Sequence, residues 1–509
     1  MAAISKIKDI DALAGVLADC RKAKNGAKVV QCHGVFDLMH IGHIRHFQEA
    51  RKLGDVLVVT LTPDRFVNKG PNRPVFTESL RAEAIASLDC VDYVAINKWP
   101  TAVEALGLLK PDVYAKGSDY RNAESDHTGG ITRERLAVEA GGGKLVFTDE
   151  ITFSSSTLLN QHLPVFSTEV SEYLEGFRRK YPLDEVTGLL KKASTLKALV
   201  IGEAIIDEYQ YCETLGKSGK EPILAAQFIR GEKFAGGSVA IANHASSFAG
   251  STHLLTMLGS VDSHEDFIRG KLAKSVEPEF LTMQGSPTIV KRRFIETYPF
   301  QKLFEIYVMD EEGGAANAAE LSARLEKILP TFDVVIVADY GHGMLGPEAI
   351  DVLCRKSKCL AVNAQLNAGN HGFNTVSKYA RADFISLSEK EIRLETRNPS
   401  GDLQAIVEHV AEDLSCPRVL VTRGAKGNLC YSSKEGFFSV PGLSTKTVDR
   451  VGAGDAVFAI GSLCAALDAP MEVIGLIGNA VGIEAVGIVG NQRFIERAPL
   501  IKHLEALLK

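Results

Sequence analysis

Two short stretches of this 509-residue chain carry residue types and spacings that could do chemistry. The first is Cys32-His33-Gly34-Val35-Phe36-Asp37-Leu38-Met39-His40-Ile41-Gly42-His43. His40 and His43 are three apart, so at the start of a helix both imidazoles project from one face. Backbone N–H groups point outward from the same first turn, and the combination forms a site for polyphosphate. The second stretch is Asp449-Arg450-Val451-Gly452-Ala453-Gly454-Asp455. Gly-Ala-Gly at a helix start leaves N–H donors unobstructed for a transferring phosphoryl group. The carboxylate of Asp455 beside it can accept the proton of an attacking hydroxyl.

Each stretch must be positioned by its surroundings, and the hydrophobic pattern shows how. Ala27–Val30 reads as a short buried strand leading into the first motif, and Ile44–Leu53 as the amphipathic helix after it. Asp55–Leu61 is a continuous apolar run of the kind buried on both faces of a parallel sheet. Helix candidates at 78–88 and 102–109 alternate with strands at 91–96, 112–115 and 144–147. The polar loops fall at the strand ends: Lys69-Gly70 with Arg73-Pro74, Lys116-Gly117-Ser118-Asp119-Tyr120, and Ser154-Ser155-Ser156-Thr157. In a doubly wound parallel sheet ligands bind beyond those ends. Histidines, a lysine and an arginine there can surround a triphosphate and stabilise charge developing at its α-phosphate. No covalent nucleophile with an adjacent base is apparent. Direct in-line attack by a phosphate, aided by Mg²⁺, is the expected mechanism. Asp37 reads either as the residue that fixes the turn or as one that helps hold a metal; His46 reads as a packing residue.

Residues 161–197 change character to two helical segments interrupted at Pro182, a helical connector rather than a flexible linker. A second alternation then begins at Ala198–Glu203. It includes Asp207, Gly236-Gly237 before an alanine-rich helix, the strand Asp333–Asp339 running into Tyr340-Gly341-His342-Gly343, and Arg418–Thr422 running into Arg423-Gly424-Ala425-Lys426-Gly427. Lys217 and Lys220 read as lid or loop charges. The fold class expected is α/β, with two doubly wound parallel-sheet domains at residues 1–160 and 198–509.

Composition bounds the function. A net charge of −6 gives no electrostatic case for a nucleic-acid partner. No run of about 18 uncharged apolar residues is present, so no membrane span is expected. Nine cysteines without a C-x-x-C pair fit reduced thiols in the cytoplasm.

Residues 28–160 resemble the cytidylyltransferase-like nucleotidyltransferases, most closely the transferase domain of bifunctional heptose-phosphate kinase/adenylyltransferases. The match lies in Gly34-Val35-Phe36-Asp37, His40-Ile41-Gly42-His43, Gly54-Asp55, Lys69-Gly70, Arg73-Pro74, Arg81, Lys116–Tyr120 and Ser154–Thr157. The resemblance implies catalytic roles for His40, His43 and Lys69. It implies nucleotide contacts from Gly34, Phe36, Asp37, Gly42, Arg81, Lys116, Gly117, Asp119, Ser155, Ser156 and Thr157. His33 departs from the pattern, since heptose enzymes usually carry Asn there. About 310 residues from 198 onward resemble the ribokinase-like (PfkB) carbohydrate kinases. This implies Asp455 as catalytic base, Gly452, Ala453 and Gly454 as the anion hole, and nucleotide contacts from Thr422, Gly424 and Gly427. It also implies substrate contacts from Asp207, Gly236, Gly237 and Asp339, and makes Glu391 the candidate metal-linked carboxylate. Four positions depart from the heptose kinase pattern: Ala240 replaces an Asn, Asn363 an Asp, Ser388 an Asn and Arg450 a Thr.

The expected activity is bifunctional. The C-terminal half would phosphorylate a sugar or sugar phosphate (heptose-7-phosphate-like) with ATP. The N-terminal half would transfer a nucleotidyl group from ATP or CTP to the sugar 1-phosphate, releasing pyrophosphate and an ADP-heptose-like product. Mg²⁺ is the expected cofactor and a homodimer the expected assembly. The alternative is a nucleotidyltransferase whose kinase-like half only binds a ligand; a non-catalytic nucleotide sensor is a further rival.

Overall fold

The structure, a computed structural model, describes residues 4–23, 26–67, 73–117, 130–148, 166–310, 318–370, 372–443 and 447–508. Its contacts divide the chain into two compact units, Met1–Thr168 with Ile501–Lys509, and Glu169–Leu500. The helices Thr168–Lys180 and Leu183–Lys192 fall almost wholly within the second unit.

In the first unit the described strands are β1 (Ile7–Lys8), β2 (Val29–Gly34), β3 (Val56–Leu61), β4 (Tyr93–Ile96), β5 (Val113–Gly117) and β6 (Lys144–Thr148). They form one parallel sheet in the order β1-β4-β3-β2-β5-β6. Every residue of β3 is buried, as its unbroken apolar run requires. One face packs Val30, Leu57 and Val59 against Phe47, Ile85 and Val94. The other packs Val29, Val56 and Val58 against Ile10, Leu13 and Leu17 of helix α1 (Ile10–Ala23). Each large side chain buried this way contributes roughly 1.5–3 kcal/mol before entropy is counted. The strand order reverses between β2 and β5, and a crevice outside that point is where such sheets bind ligands. Strand β2 extends four residues beyond the predicted strand, because His33 and Gly34 continue the ladder opposite Thr60 and Leu61. Helix α2 (Ile41–Arg51) starts three residues earlier than predicted, which places His43 inside its first turn.

The second unit holds two sheets. Strands β7 (Lys197–Gly202), β10 (Ser251–Val261), β11 (Val276–Pro287), β14 (Val334–Asp339), β15 (Leu360–Ala364), β16 (Phe384–Ser388), β17 (Arg418–Thr422), β18 (Asn428–Ser432) and β19 (Gly436–Val440) make a nine-stranded sheet in the order β11-β10-β7-β14-β15-β16-β17-β18-β19. It is parallel except at β18 and β19. The second sheet, in the order β13-β12-β8-β9, is built from β8 (Ala204–Lys217), β9 (Leu224–Gly237), β12 (Ile289–Glu296) and β13 (Gln301–Val308). Sequence reading anticipated the parallel sheet but not this four-stranded layer; its strands mix charges with apolar residues, so that even the buried run Ala204–Tyr209 contains Asp207 and Glu208.

Gly202, at the end of β7, shows how tightly the large sheet is closed. Its φ is +153°, and a Cβ there would lie 1.9 Å from the Ala338 carbonyl oxygen of β14. Gly202→Ala is expected to destabilise the second unit by at least about 3 kcal/mol in urea unfolding. Gly188, mid-helix with open space where a methyl group would stand, is the control: Gly188→Ala should stabilise by up to about 1 kcal/mol.

Candidate active sites

In the first unit the signature histidines form a stacked pair. His40 caps α2, its Nδ1 accepting from the Gly42 amide at 3.1 Å. The His40 and His43 rings lie 3.8 Å apart between centroids at 28°. Phe36 supports them, edge-on to His43 at 5.3 Å and to Phe47 at 4.8 Å. It can do so because Phe36 adopts a positive φ of 49° and Gly34 offers no side chain: a Cβ there would meet the Phe36 ring at 3.0 Å. Phe36 thus lies against His43 and His46.

Asp37 and Arg81 hold the loops that carry this pair. The buried Asp37 carboxylate accepts from the amides of Val75 at 2.8 Å and Phe76 at 3.1 Å. Of the two roles open to Asp37, the geometry displays the turn-fixing one. Arg81, 1% exposed, donates to the carbonyls of Val35, Thr62 and Phe76 and to the Asp64 carboxylate at 2.6 Å. Its guanidinium therefore ties the motif turn to the end of β3. Lys116 ends β5 beside β2, with Nζ 3.0 Å from Glu134, whose Oε2 also accepts from the Tyr114 hydroxyl. Gly117 follows it at the strand end. His33 is buried, with Nδ1 2.9 Å from Thr60 Oγ1 and Nε2 3.2 Å from Thr62 Oγ1. Burial, with nearby Lys116, pushes its pKa down to about 3, so it is a neutral ring. His46 packs inside, Nδ1 2.9 Å from Thr148 Oγ1. Lys69, Asp119, Ser155, Ser156 and Thr157 lie outside the described residues.

In the second unit Gly452 caps the helix Ala453–Ala466 at φ +81°, packed so closely on Asn491 that a Cβ would fall 2.0 Å from its Oδ1. Gly454 faces open space. Asp455 lies in the first turn and accepts from the buried Tyr340 hydroxyl at 2.9 Å. Burial pushes its pKa up to about 6, with Tyr340 and Lys291 opposing and Asp207 and Glu391 adding to the rise. Just before the turn, Asp449 accepts from the Tyr209 hydroxyl at 2.6 Å, the Gly490 amide at 2.9 Å and Lys302 Nζ at 2.6 Å. Burial would raise its pKa, yet Lys302 and Tyr209 hold it below the usual carboxylate value. Tyr209 and Lys302 come from the four-stranded sheet, whose inner face covers this motif.

Asp207 is on that sheet too, ion-paired with Arg293 of β12. Gly236 admits it: a Cβ there would strike Asp207 Oδ2 at 2.3 Å, while Gly237 turns at φ +59° against the Glu203 carbonyl. Asp339 is engaged by the Tyr379 hydroxyl at 2.5 Å, Lys378 at 2.6 Å and the Gly341 amide at 3.1 Å. Glu203 receives the amides of Tyr340 and His342, at 3.0 and 3.1 Å, and so shapes the loop after β14. A cleft of about 310 Å³ opens beside Glu203, Asp339, Gly341, Asn370 and Lys378. Thr422 ends β17 opposite Ser388 and Asn428, with Gly424 and Gly427 in the following turn at φ +58° and +78°. Glu391 closes a capping box with Ser388, its carboxylate accepting the Ser388 amide at 2.7 Å. Ala240 is buried in the helix Ser238–Ser246, where the next amide, Asn243, bonds Lys271 and Ala273. Asn363 donates to the Ser386 carbonyl, and Arg450 is exposed.

The model of the pfkB family of carbohydrate kinases matches residues 195–497. The chain belongs to this family. The cytidylyltransferase-like family model matches residues 32–161, so the PfkB kinase is preceded by a cytidylyltransferase-like domain. Bifunctional protein HldE of Citrifermentans bemidjiense is 43% identical over 143 residues, 28% of each chain. HldE of Geobacter metallireducens is 45% identical over 118 residues, 23% of this chain and 24% of that protein. These matches fall on the N-terminal part, and the chain spans under a third of the length of the curated relatives it matches. Phosphofructokinase-2 of Escherichia coli, solved with substrates and products, superposes on the fold with a TM-score of 0.50 at 15% identity, covering 62% of this chain and all of that one. Both families use nucleoside triphosphates. Among the described residues no helix is long and apolar enough to cross a membrane.

Sequence reading found the PfkB turn, the H-x-G-H pair and the loop Asp339–Gly343 that carries Tyr340, but missed Lys291, Arg293, Lys302, Tyr209 and Glu203 as parts of the setting. Alternation at Lys291 and Arg293 was the one available signal, since residues two apart on a strand share a face. The resemblance to PfkB kinases implies Asp455 as the base; a base must be ionised, so in that role the acid limb of kcat/KM for phosphorylation is expected near pH 6, rising above it. The folded carboxyl binds its proton more tightly than the unfolded one. Its stabilising contribution is therefore complete below pH 4 and lost as pH rises through about 6. Asp455→Asn should accordingly raise stability at pH 8 by about 2–3 kcal/mol while abolishing phosphorylation, as read by denaturant melts at pH 4 and pH 8.

Proposed function

We propose that the chain is a two-site enzyme of nucleotide-sugar biosynthesis. In the kinase half, ATP would phosphorylate a sugar or sugar phosphate of the heptose-7-phosphate class. The acceptor hydroxyl attacks the γ-phosphorus, an O–P bond forms, and the bond to the β-phosphate oxygen breaks with its electrons leaving on ADP. Asp455 takes the hydroxyl proton, and the amides around Gly452–Gly454 receive the moving phosphoryl oxygens. In the transferase half, the phosphate of a sugar 1-phosphate attacks the α-phosphorus of ATP or CTP and pyrophosphate leaves. His40, His43 and the first amides of α2 face the charge that develops there. The observation that carries the reading is the buried Asp455, bonded to Tyr340 at 2.9 Å in the first turn of a glycine-capped helix.

Mg²⁺ fits this scheme as an ion carried on the nucleotide phosphates, which commonly keeps several waters and needs only one or two carboxylates. Among the described residues no three acidic, histidine or cysteine side chains converge as a metal site, and Glu391 is turned into its own helix cap. A cytoplasmic setting agrees with nine cysteines that are all free. The homodimer we propose uses the outer face of the four-stranded sheet, where Phe304, Ile306 and Ile229 are 53%, 45% and 46% exposed beside the Phe294–Phe304 stack. Sheet pairing puts Phe304 and Ile306 opposite to the face that carries Asp207 and Tyr209.

Two experiments test the scheme. Asp455→Asn should abolish ATP-dependent phosphorylation and leave pyrophosphate release from NTP and sugar 1-phosphate intact, while His40→Ala and His43→Ala should do the reverse. Failure of the wild type to phosphorylate any sugar or sugar phosphate would remove the kinase activity from the reading. Phe304→Glu with Ile306→Glu should halve the mass found by light scattering; a mass that does not change, or a monomeric wild type, rejects this interface.

A further inference from the structure

Among the described residues the face of the four-stranded sheet that carries Asp207 also carries Arg293, Lys302 and Lys291, and the first two are matched. Arg293 pairs with Asp207 and with Glu305 at 3.1 Å, and Lys302 pairs with Asp449 at 2.6 Å. Lys291 is different. It is 5% exposed, yet among the described residues its ammonium makes no hydrogen bond or ion pair. It stands on β12 in register with Asp207 of β8 and Tyr307 of β13. Its Nζ lies 5.1 Å from the Tyr307 ring centroid and 5.8 Å from that of Tyr340, the ring whose hydroxyl bonds Asp455. The charged groups it faces are Asp207, Glu305 and Asp455, with Arg293 opposing.

An ammonium taken out of water without a hydrogen-bonded partner is costly. Three donors held beside the base and beside the substrate-side carboxylate are suited to an anion that arrives with the reaction. A Cβ at Gly454 would meet nothing within 4 Å, so the helix start is open beside Asp455, and Lys291 approaches Asp455 from the sheet side of the Tyr340 ring. Resting on the kinase reading, we infer that the Lys291 ammonium contacts the phosphoryl oxygens as the group passes from the nucleotide to the acceptor hydroxyl. In that step the O–P bond to the acceptor forms, the bond to the leaving ADP oxygen breaks, and the proton goes to Asp455. Lys291 keeps its own protons and offsets the negative charge on the equatorial oxygens.

The test uses the full chain with ATP and the acceptor that the wild type turns over fastest. Lys291→Met should lower kcat about 10²- to 10³-fold, the loss seen when a transition-state donor is removed. KM for both substrates should stay within about threefold, because the contact strengthens only as charge develops. Lys291→Gln, which retains length and polarity, carries the same expectation and decides the matter if the methionine variant does not fold. Lys291→Arg should recover part of the rate, and pyrophosphate release by the transferase half should be unchanged throughout. A kcat within threefold of wild type in either neutral variant overturns the inference. So does a loss confined to KM for the acceptor, which would assign the ammonium to a fixed anionic group on the sugar. Asp455→Asn run in parallel separates the two levels. An active Asp455→Asn or an inactive wild type sinks the kinase reading. A dead Asp455→Asn beside fully active Lys291 variants sinks only the role of Lys291.

Discussion

Asp455 is a carboxylate withdrawn from water, and much of the kinase half is arranged around the cost of that withdrawal. A small-residue helix, Ala453–Ala466, brings it into the interior, where burial lifts its proton affinity toward neutrality. Tyr340 donates one hydrogen bond to it. That tyrosine is placed in turn by Glu203, which collects the backbone amides of the loop after β14. The four-stranded sheet closes the other side with a face of alternating charges. The result is a carboxylate of raised proton affinity that is still ionised at neutral pH, the compromise that the general-base role proposed for it requires.

The same sheet explains why this layer must be a sheet at all. Successive side chains on a strand point to opposite faces. One set of residues, Asp207, Tyr209, Lys291 and Arg293, can therefore share the face toward the Asp455 turn while their neighbours Glu208, Gln210, Arg292 and Phe294 share the opposite face. Tyr209 and Lys302 meet Asp449 immediately before Gly452. The sheet and the anion-hole turn thus share a fixed point, and any shift of one is felt by the other. A helix in this position would present one stripe to the site and could not supply both faces.

What the sequence disclosed depended on whether the signal was local. The parallel strands β3, β7 and β14 are unbroken apolar runs and were legible, as were the turn Gly452–Asp455 and the spacing of His40 and His43. The four-stranded sheet was not, because strands that mix charged and apolar residues on both faces resemble loops when read alone. Arg81 shows a second limit. A basic residue in a nucleotide-binding motif suggests a phosphate contact, but its donors reach Val35, Thr62, Phe76 and Asp64, partners set by the fold and not by spacing. His33 is a third case. Its departure from the family's amide was visible, whereas its two threonine partners, on the neighbouring strand and just past its end, were not.

His33 also shows how a substitution can alter a site without entering it. Its ring is neutral because burial and Lys116 both disfavour the cation, so it adds no charge beside the stacked histidines. It joins the last residues of β2 to Thr60 and Thr62, and Arg81 grips the Thr62 carbonyl from the other side. The turn that delivers His40 and His43 is therefore fixed by a neutral aromatic ring on one side and a guanidinium on the other. An asparagine in the same place would be shorter and could not span both hydroxyls with a rigid ring. Any change in substrate preference that follows from His33 must then arise through the height and tilt of that turn, because the side chain is fully committed to the strand beside it.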